Sequence, residues 1–310
     1  MNHLDTQPMG NIINIQHFCT DDGPGIRTTV FFKGCPLRCV WCHNPESHNA
    51  RTELMYRAEK CRSCGACVSV CPSGAHSVGE GGTHLFSRDL CTSCHKCADV
   101  CVFQALETVG EKKSVDEVLA ELLSDRIFYE TSGGGVTLSG GEPTAQPTFV
   151  KELLSACKRE GLHTAMETCG FCSGETLMQL APLVDLFLLD WKISDDALHQ
   201  RYTGVSNQPI VENLARLDAC GARVILRCPL IPDINLTEDH YLGIAALANR
   251  FRVVESIDLE PYHPMGVGKT QALGREVAYQ NGEFLNDSVA EAARNFLVPR
   301  VSVNVRISGK

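Results

Sequence analysis

The sequence lacks the features that would place the chain in a membrane, outside the cell or on nucleic acid. No stretch of about 18 uninterrupted apolar residues occurs, which argues against a membrane-spanning helix. Residues 1–8 have neither the basic nor the apolar region of a signal peptide, so we expect a cytoplasmic protein. Because 37 acidic residues outnumber 28 basic ones, giving a net charge of −9, no basic excess favours a nucleic-acid partner.

Cysteine, in contrast, is abundant, with 17 residues in a chain of 310. In a reducing cytosol this abundance favours metal ligation over disulfides. Eleven of the cysteines fall into three tight groups. The chain is long enough for one substantial core and a small accessory module.

The first cysteine group forms a compact C-x3-C-x2-C loop of Cys35, Cys39 and Cys42. A [4Fe–4S] cluster normally takes four thiolates, so three ligands leave one iron open to a small molecule that can receive an electron. The loop resembles that of the radical S-adenosylmethionine (SAM) superfamily. The preceding segment, residues 22–28 (DGPGIRT), narrows the resemblance to the activating enzymes of glycyl radical enzymes. The resemblance extends over nearly the whole chain.

Six short, apolar and β-branched runs predict strands, and most of the segments between them have helical periodicity. The runs are Thr28–Phe32, Val136–Leu138, Thr164–Met166, Leu186–Leu189, Val224–Leu226 and Ile257–Leu259. Alternating strands and helices predict a parallel sheet with right-handed crossovers. We therefore predict an α/β fold, a partial (β/α)6 radical SAM barrel formed by residues 1–51 and 111–310. Ser114 and Glu117 predict a capping box at one helix.

Unusual residues follow each predicted strand, where an α/β barrel places its active site. After the first strand comes the cysteine loop. The later strand ends carry Ser139-Gly140-Gly141-Glu142-Pro143, Glu167-Thr168, Asp190-Trp191-Lys192, Arg227 and Pro261-Tyr262-His263. Cysteines, polar residues and charged residues thus follow six successive strands. This pattern predicts a single site at that end of the barrel.

Residues 52–110 interrupt the barrel pattern, and we interpret them as an inserted ferredoxin-like domain with two [4Fe–4S] clusters. They contain two copies of C-x2-C-x2-C-x3-C, and the first ends in Cys71-Pro72. In two-cluster ferredoxins the fourth cysteine of each run ligates the other cluster. This pattern pairs Cys61, Cys64 and Cys67 with Cys101 in one cluster, and Cys91, Cys94 and Cys97 with Cys71 in the other. Val102 stands where the second run would have proline.

Two questions about the insert stay open from the sequence. Paired C-x2-C elements also form tetrahedral zinc sites, although eight thiolates in two ferredoxin repeats favour iron–sulfur clusters. The clusters would relay electrons or tune the reaction centre, or they would simply organise a domain that lacks a core.

The resemblance implies that SAM chelates the open iron and is cleaved by reduction to methionine and a 5′-deoxyadenosyl radical. Gly140-Gly141-Glu142 resembles the family's GGE motif along the methionine end of SAM, where the amide and carbonyl of Gly141 would meet the ammonium group. A Gly-Gly pair alone is a common turn. Asp190-Trp191-Lys192 resembles the family's DLK element, with Asp190 as acceptor, Lys192 as carboxylate partner and Trp191 as apolar wall. A surface ion pair is the alternative.

Further SAM contacts are implied at the adenosine end. His263 matches the family's PYH element, and Trp41, Cys42 and His43 occupy its aromatic-Cys-His stretch beside the adenine. Glu167 and Thr168 with Asp190 are a candidate monovalent-cation site, with a helix cap as the alternative.

Several remaining residues have less specific interpretations. Arg227 either contacts the backbone of the glycyl radical enzyme that the resemblance implies as partner, or forms a salt bridge at the edge of the core. The glycines of residues 22–25 are expected to shape a turn that the partner's peptide approaches. Cys169 and Cys172 form a C-x2-C pair, while Cys19, Cys157, Cys220 and Cys228 are interpreted as ordinary thiols.

The predicted function is activation of a glycyl radical enzyme under anaerobic conditions, by abstraction of one hydrogen from a specific glycine of that partner. Its cofactors would be SAM and three [4Fe–4S] clusters, and an electron donor such as reduced flavodoxin or ferredoxin is expected. Two rival hypotheses are a radical SAM maturase acting on another peptide or small molecule, and a ferredoxin-like electron carrier without catalysis. A carrier would be expected to complete the ligand set of the three-cysteine loop.

Overall fold

A computed structural model of the chain describes residues 8–309. The first seven residues, on which the signal-peptide expectation mostly rests, lie outside this range. The strands are β1 Met9–Cys19, β2 Arg27–Phe32, β3 Glu53–Tyr56, β4 His76–Val78, β5 His84–Phe86, β6 Leu106–Val109, β7 Glu111–Ser114, β8 Gly135–Gly140, β9 Thr164–Thr168, β10 Leu186–Asp190, β11 Val224–Leu230, β12 Val254–Pro261 and β13 Asn304–Ile307. The helices are α1 Ala66–Val70, α2 Lys96–Asp99, α3 Val115–Leu123, α4 Arg126–Ser132, α5 Pro147–Arg159, α6 Gly174–Leu180, α7 Asp196–Thr203, α8 Gln208–Cys220, α9 Glu238–Arg250, α10 Gly266–Ala272 and α11 Asp287–Leu297.

One large sheet organises the molecule, in the order β13-β12-β11-β10-β9-β8-β2-β1-β7. The six predicted strands correspond to β2 and β8 to β12, and all of them pair in parallel. This confirms the predicted strands and the parallel sheet. The crossover helices α5, α6, α8 and α9 bury apolar faces that pack on the sheet, including the predicted Phe149, Leu153 and Leu154 of α5.

Three strands of this sheet were not predicted. β1 and β7 extend it by antiparallel pairing, and β13 adds a parallel edge strand beside β12. In β1 the polar residues Asn14, Gln16 and His17 interrupt the apolar run. The hydrophobic pattern therefore does not reveal this strand. The alternation of polar and apolar residues in β13 (Asn304–Ile307) was a signal that the sequence offered.

The predicted capping box at α3 is confirmed. The Glu117 amide donates to Ser114 Oγ at 3.3 Å, and the Ser114 amide donates to Glu117 Oε2 at 2.7 Å. This reciprocal pair satisfies two helix-end donors and begins the helix where the chain returns to the sheet.

Residues 53–109 leave the sheet between β2 and β8 and form two small antiparallel pairs of their own. β3 pairs with β6, so the two ends of this segment lie side by side. β4 pairs with β5. The apolar residues Met55 and Val109 pack on Ala272 and Leu273 at the end of α10. Within the described range, none of the helices is long and apolar enough to span a membrane.

Candidate active site

A cavity of about 370 Å³ opens at the carboxyl ends of the six parallel strands. Every one of these strand ends contributes residues to it, which requires the sheet to curve around the cavity. The contributors are Cys35, Cys39, Cys42, His43, Ser139, Gly141, Glu167, Thr168, Asp190, Lys192, Arg227, Glu260 and His263. The structure therefore brings together most of the residues that the sequence analysis singled out at strand ends.

The cysteine loop has no helix or strand, and backbone hydrogen bonds hold it in place. Gly34 N donates to Ser47 O at 2.6 Å, and Arg38 N donates to Thr203 O at 2.7 Å. Burial raises the pKa of Cys42 to about 12 and that of Cys39 further. Without a metal these are protonated thiols, so ligation of a metal releases protons.

The paired glycines at the end of β8, Gly140 and Gly141, are required by the protein's own packing. A Cβ on Gly140 would lie 2.2 Å from Phe32 N, and one on Gly141 would lie 2.4 Å from Gly34 O. The Gly141 amide also donates to Phe32 O at 2.8 Å. The expectation that this amide meets a SAM ammonium group is therefore corrected, because it already has a partner, and only the carbonyl oxygen is left for that role.

Glu142 is a fully buried carboxylate that ties the end of β8 to the end of β9. It accepts hydrogen bonds from Thr168 Oγ1 at 2.8 Å, from the Cys169 amide at 2.8 Å and from the Thr144 hydroxyl at 2.7 Å. Because a buried charge is stable only when well paired, these donors fix the positions of two cavity residues relative to the cysteine loop.

Cys169 lies against the cysteine loop, a position that the C-x2-C interpretation missed. Cys169 lines the cavity together with Cys35, and the neighbouring Cys169 thiol lowers the pKa of Cys35. The sulfur of Cys172 instead lies 3.8 Å from Asn213 Nδ2, and Cys172 does not line this cavity. The two cysteines of this pair therefore face different surroundings, and the position of Cys169 directly after Glu167-Thr168 was the available signal.

Asp190 and Lys192 form an ion pair of 3.0 Å inside the cavity, not on the surface. Burial raises the pKa of Asp190. For Lys192, burial acts in the lowering direction, but the carboxylate of Asp190 and the nearby Cys39 hold its pKa well above the ordinary value. Lys192 is therefore a permanent cation beside the cysteine loop.

Arg227 is the centre of a carboxylate cluster on the other side of the cavity. Its guanidinium pairs with Glu260, with Glu167 at 3.5 Å and with Asp22 at 3.7 Å. This favours the salt-bridge interpretation of Arg227 and assigns a partner to Glu260, which sequence reasoning did not anticipate. Burial raises the pKa of Glu260 to about 7.

The candidate cation ligands already have protein partners. Glu167 accepts from the Ser139 hydroxyl and faces Arg227, and Thr168 donates to Glu142. Asp190 is paired with Lys192. Each of these three side chains therefore has at least one protein partner, and the monovalent cation stays a prediction.

The turn at residues 22–25 is held from inside the protein. The buried Arg27 donates to Pro24 O at 3.1 Å, and Thr137 Oγ1 donates to Asp22 O at 2.7 Å. Gly25 has φ +68°, and a Cβ there would lie 2.4 Å from Gly134 N. Gly25 therefore serves close internal packing, and Asp22 reaches the cavity. The approach of a partner's peptide to this turn stays a prediction.

Two stacked imidazoles line the other end of the cavity. The rings of His43 and His263 lie 3.6 Å apart with an interplanar angle of 25°. Burial lowers the pKa of His43 to about 3 and also lowers that of His263, so both rings are neutral at pH 7. His43 Nε2 and His263 Nδ1 are buried without a hydrogen-bond partner. Unpaired buried nitrogens are costly unless a ligand satisfies them.

The two tryptophans have different positions. Trp41 lines the cavity and packs on Ile193, Ile231 and Tyr262. Trp191, in contrast, is buried in the main core, where its Nε1 donates to Ser194 Oγ at 3.0 Å. The structure does not bring Trp191 to the cavity, because consecutive residues at a strand end point to opposite faces.

A second group of cysteines surrounds a small cavity within residues 53–109. Cys61, Cys64 and Cys67 line it together with Cys101, and so does His84. Three ligands from one run thus lie beside the fourth cysteine of the other run. The donor set is all thiol, which suits an iron–sulfur cluster.

The two cysteine runs have the same backbone conformation. Each residue of the second run lies 30 positions after its counterpart, as with Cys61 and Cys91. Ser63 and Ser93 have φ of 52° and 53°, and each donates its amide to the preceding cysteine sulfur at 3.4 Å. Residues 53–109 therefore contain an internal repeat with two equivalent thiol loops.

Comparison with known proteins agrees with this geometry. Residues 29–242 match the radical SAM superfamily. The chain is 45% identical over 285 residues to the choline trimethylamine-lyase activating enzyme of Oleidesulfovibrio alaskensis, covering 90% of this chain and 92% of that protein. It is 46% identical over 278 residues to the isethionate sulfite-lyase activating enzyme of Nitratidesulfovibrio vulgaris, covering 88% and 90%.

Among solved structures, a radical SAM methyltransferase from Sphaerobacter thermophilus has a similar fold. The match has a TM-score of 0.54 at 14% identity, and it covers 99% of this chain and 80% of the other. At that identity the likeness concerns the fold alone.

Proposed function

This chain belongs to the radical SAM superfamily, among the activating enzymes of glycyl radical enzymes, and we propose that it installs the glycyl radical of one partner enzyme. In the proposed reaction SAM accepts one electron and its sulfur–carbon bond breaks, giving methionine and a 5′-deoxyadenosyl radical. That radical takes one hydrogen atom from the α-carbon of a glycine in the partner, which leaves 5′-deoxyadenosine and a stored glycyl radical.

Cys35, Cys39 and Cys42 would hold the [4Fe–4S] cluster that serves this reaction. When bound, the cluster supplies the electron for SAM cleavage. Their sulfurs border a cavity that also contains charged and aromatic groups suited to SAM, and this juxtaposition is the observation that carries the proposal. A loop that only stored electrons would be expected to have a fourth ligand.

The remaining cavity residues divide into two sets that suit the two ends of SAM. Lys192 and Asp190 offer a cation and an acceptor for the carboxylate and ammonium groups, and the Gly141 carbonyl offers a second acceptor. His43 Nε2 and His263 Nδ1 are unsatisfied and buried, so an adenine presenting hydrogen-bonding nitrogens would restore their pairing. Trp41 offers an aromatic face at the same end.

We propose further that residues 52–110 are a ferredoxin-like insert with two more [4Fe–4S] clusters, in a barrel formed by residues 1–51 and 111–310. The cavity shared by Cys61, Cys64, Cys67 and Cys101 supports the crossed ligand pairing. The matching conformation of the second run supports the other cluster, with Cys91, Cys94, Cys97 and Cys71 as its ligands. The electron donor would be a reduced flavodoxin or ferredoxin, in the cytoplasm.

The function is tested with the full chain, reconstituted anaerobically with iron and sulfide. With SAM and a strong reductant we expect 5′-deoxyadenosine, and on a co-expressed glycyl radical enzyme we expect a glycyl radical by electron paramagnetic resonance. No 5′-deoxyadenosine would indicate an electron carrier. Production of 5′-deoxyadenosine without a radical on any glycyl radical enzyme encoded beside this chain would indicate a maturase with another substrate.

A further inference from the structure

The two repeats of the insert differ at the positions that face their central cysteines. Counting 30 residues onward, Leu54 corresponds to His84, and His76 corresponds to Leu106. In the second repeat, Cys97 packs against Leu54 and Leu106. In the first repeat, the equivalent Cys67 has His84 in hydrogen-bond contact. The central cysteine of the first repeat therefore has an imidazole in contact, whereas the equivalent positions beside Cys97 are leucines.

The histidines of the first repeat are firmly placed. His84 Nε2 lies 3.4 Å from Cys67 Sγ and 3.0 Å from His76 Nδ1. Both histidines are buried. The Tyr56 ring meets His84 edge-on with centroids 4.9 Å apart, and Phe86 stacks on His76 at 4.6 Å. Aromatic packing on both sides leaves these rings little freedom to turn away from the sulfur.

The hydrogen-bond partners decide where the proton of His84 lies. His84 Nδ1 is buried without a partner, whereas Nε2 has two close neighbours. A proton on Nδ1 would be a buried donor without an acceptor, and the Nε2 lone pair would face a negatively charged Cys67 sulfur. A proton on Nε2 points to that sulfur and to His76 Nδ1, and it leaves only a lone pair unsatisfied.

We propose that His84 donates a hydrogen bond from Nε2 to the Cys67 sulfur and makes the cluster of Cys61, Cys64, Cys67 and Cys101 the more easily reduced of the two insert clusters. The inference rests on the proposed insert clusters. Reduction adds negative charge to a cluster and its thiolates, so a donor at the sulfur stabilises the reduced form. The leucines around Cys97 provide no such donor.

A mononuclear metal is the competing use of these residues. Cys67, His76 and His84 offer ligand atoms that all lie within 4.8 Å of one another. Such a site would remove Cys67 from the cluster and leave Cys61, Cys64 and Cys101 incomplete. The shared cavity of the four cysteines favours the cluster, with the imidazoles outside the ligand set.

The test is a redox titration of the holoenzyme, followed by electron paramagnetic resonance, in the wild type and in His84→Leu. The substitution introduces the residue that the second repeat has at this position. The insert clusters are identified as the signals that SAM does not change. We expect one of them to become harder to reduce, by about tenfold in the ratio of oxidised to reduced cluster, or 59 mV for a one-electron couple.

Two further variants separate hydrogen bonding from packing. His84→Gln keeps an N–H donor and is expected to restore at least half of the shift. Ser77→Ala, on the exposed face of β4, is the matched control and should leave both potentials unchanged. Unchanged potentials in His84→Leu, or an equal shift of both insert clusters, would overturn the inference.

If His84→Leu loses a cluster, the wild type still provides the test. Histidine labelled with ¹⁵N in the imidazole should give a ¹⁵N coupling on the insert cluster that is reduced first, and its absence would refute the hydrogen bond. About twelve irons per chain are expected for three clusters. Bound zinc that disappears in His84→Leu would establish the mononuclear site instead. SAM cleavage, measured separately, reports on the proposed function and not on this hydrogen bond.

Discussion

The barrel cavity and the insert hold cysteines in two different ways. In the barrel, the cysteine loop is pinned to Ser47 and Thr203, and the cavity around it is fixed by buried groups such as Glu142. In the insert, strands and helices are only three to five residues long, and Cys64 and Cys94 are exposed. The barrel therefore forms its site from its own core, whereas we expect the insert to depend on the proposed clusters for much of its stability.

The largest expected effect is on catalysis, from Cys39→Ala in the barrel. With one of three ligands gone the cluster should be lost, and SAM cleavage should fall by at least about 10³-fold, which corresponds to about 4 kcal/mol of lost transition-state stabilisation. The iron content should fall by about one cluster while the insert clusters remain. The measurements are 5′-deoxyadenosine yield and iron content, with the exposed Cys220→Ala as control.

The second prediction concerns cofactor removal. Chelation of iron under anaerobic conditions should leave the barrel folded and loosen the insert, because metal binding supplies folding free energy to small metal-bound modules. Hydrogen exchange should show amides of β4 and β5 losing protection, and amides of β10 and β11 keeping theirs. Equal loss of protection in both regions would contradict the contrast between them.

A smaller effect is expected from Glu142→Ala in the buried scaffold of the barrel site. The change leaves the Thr168 hydroxyl and the Cys169 amide without their acceptor, at about 1–3 kcal/mol for each buried group. We expect a lower melting temperature and about tenfold slower SAM cleavage, since both residues line the cavity. Glu142→Gln keeps one acceptor oxygen and should recover part of the stability.

The smallest of the four effects is expected from His43→Leu at the adenine end. Loss of one hydrogen bond and one stacking partner should weaken SAM binding by about tenfold, which corresponds to 1.4 kcal/mol. Calorimetric titration of the reconstituted enzyme with SAM measures this. His240→Leu, a buried histidine in α9 outside the cavity, is the comparison variant and should bind SAM normally.

The sequence predicted the six parallel strands and the side chains at their ends. Hydrophobic periodicity marks buried strands, and the residues at a strand end follow the strand directly in the chain. It did not predict β1 and β7, whose polar residues suit a sheet margin. It also missed the Arg227–Glu260 pair and the contact of Cys169 with Cys35. The Arg227–Glu260 pair depends on how the neighbouring strands β11 and β12 are staggered, and Cys35 and Cys169 follow β2 and β9, which have β8 between them.

Cysteine spacing by itself predicted the chemistry of the chain, because three thiols with two or three residues between them can reach one cluster in almost any tertiary setting. Tertiary structure alone decided which charges meet in the barrel, how His43 stacks on His263, and that His84 faces Cys67 where Leu54 faces Cys97. Those arrangements join residues distant along the chain, so they are set by strand order, burial and the pairing of polar groups that burial demands.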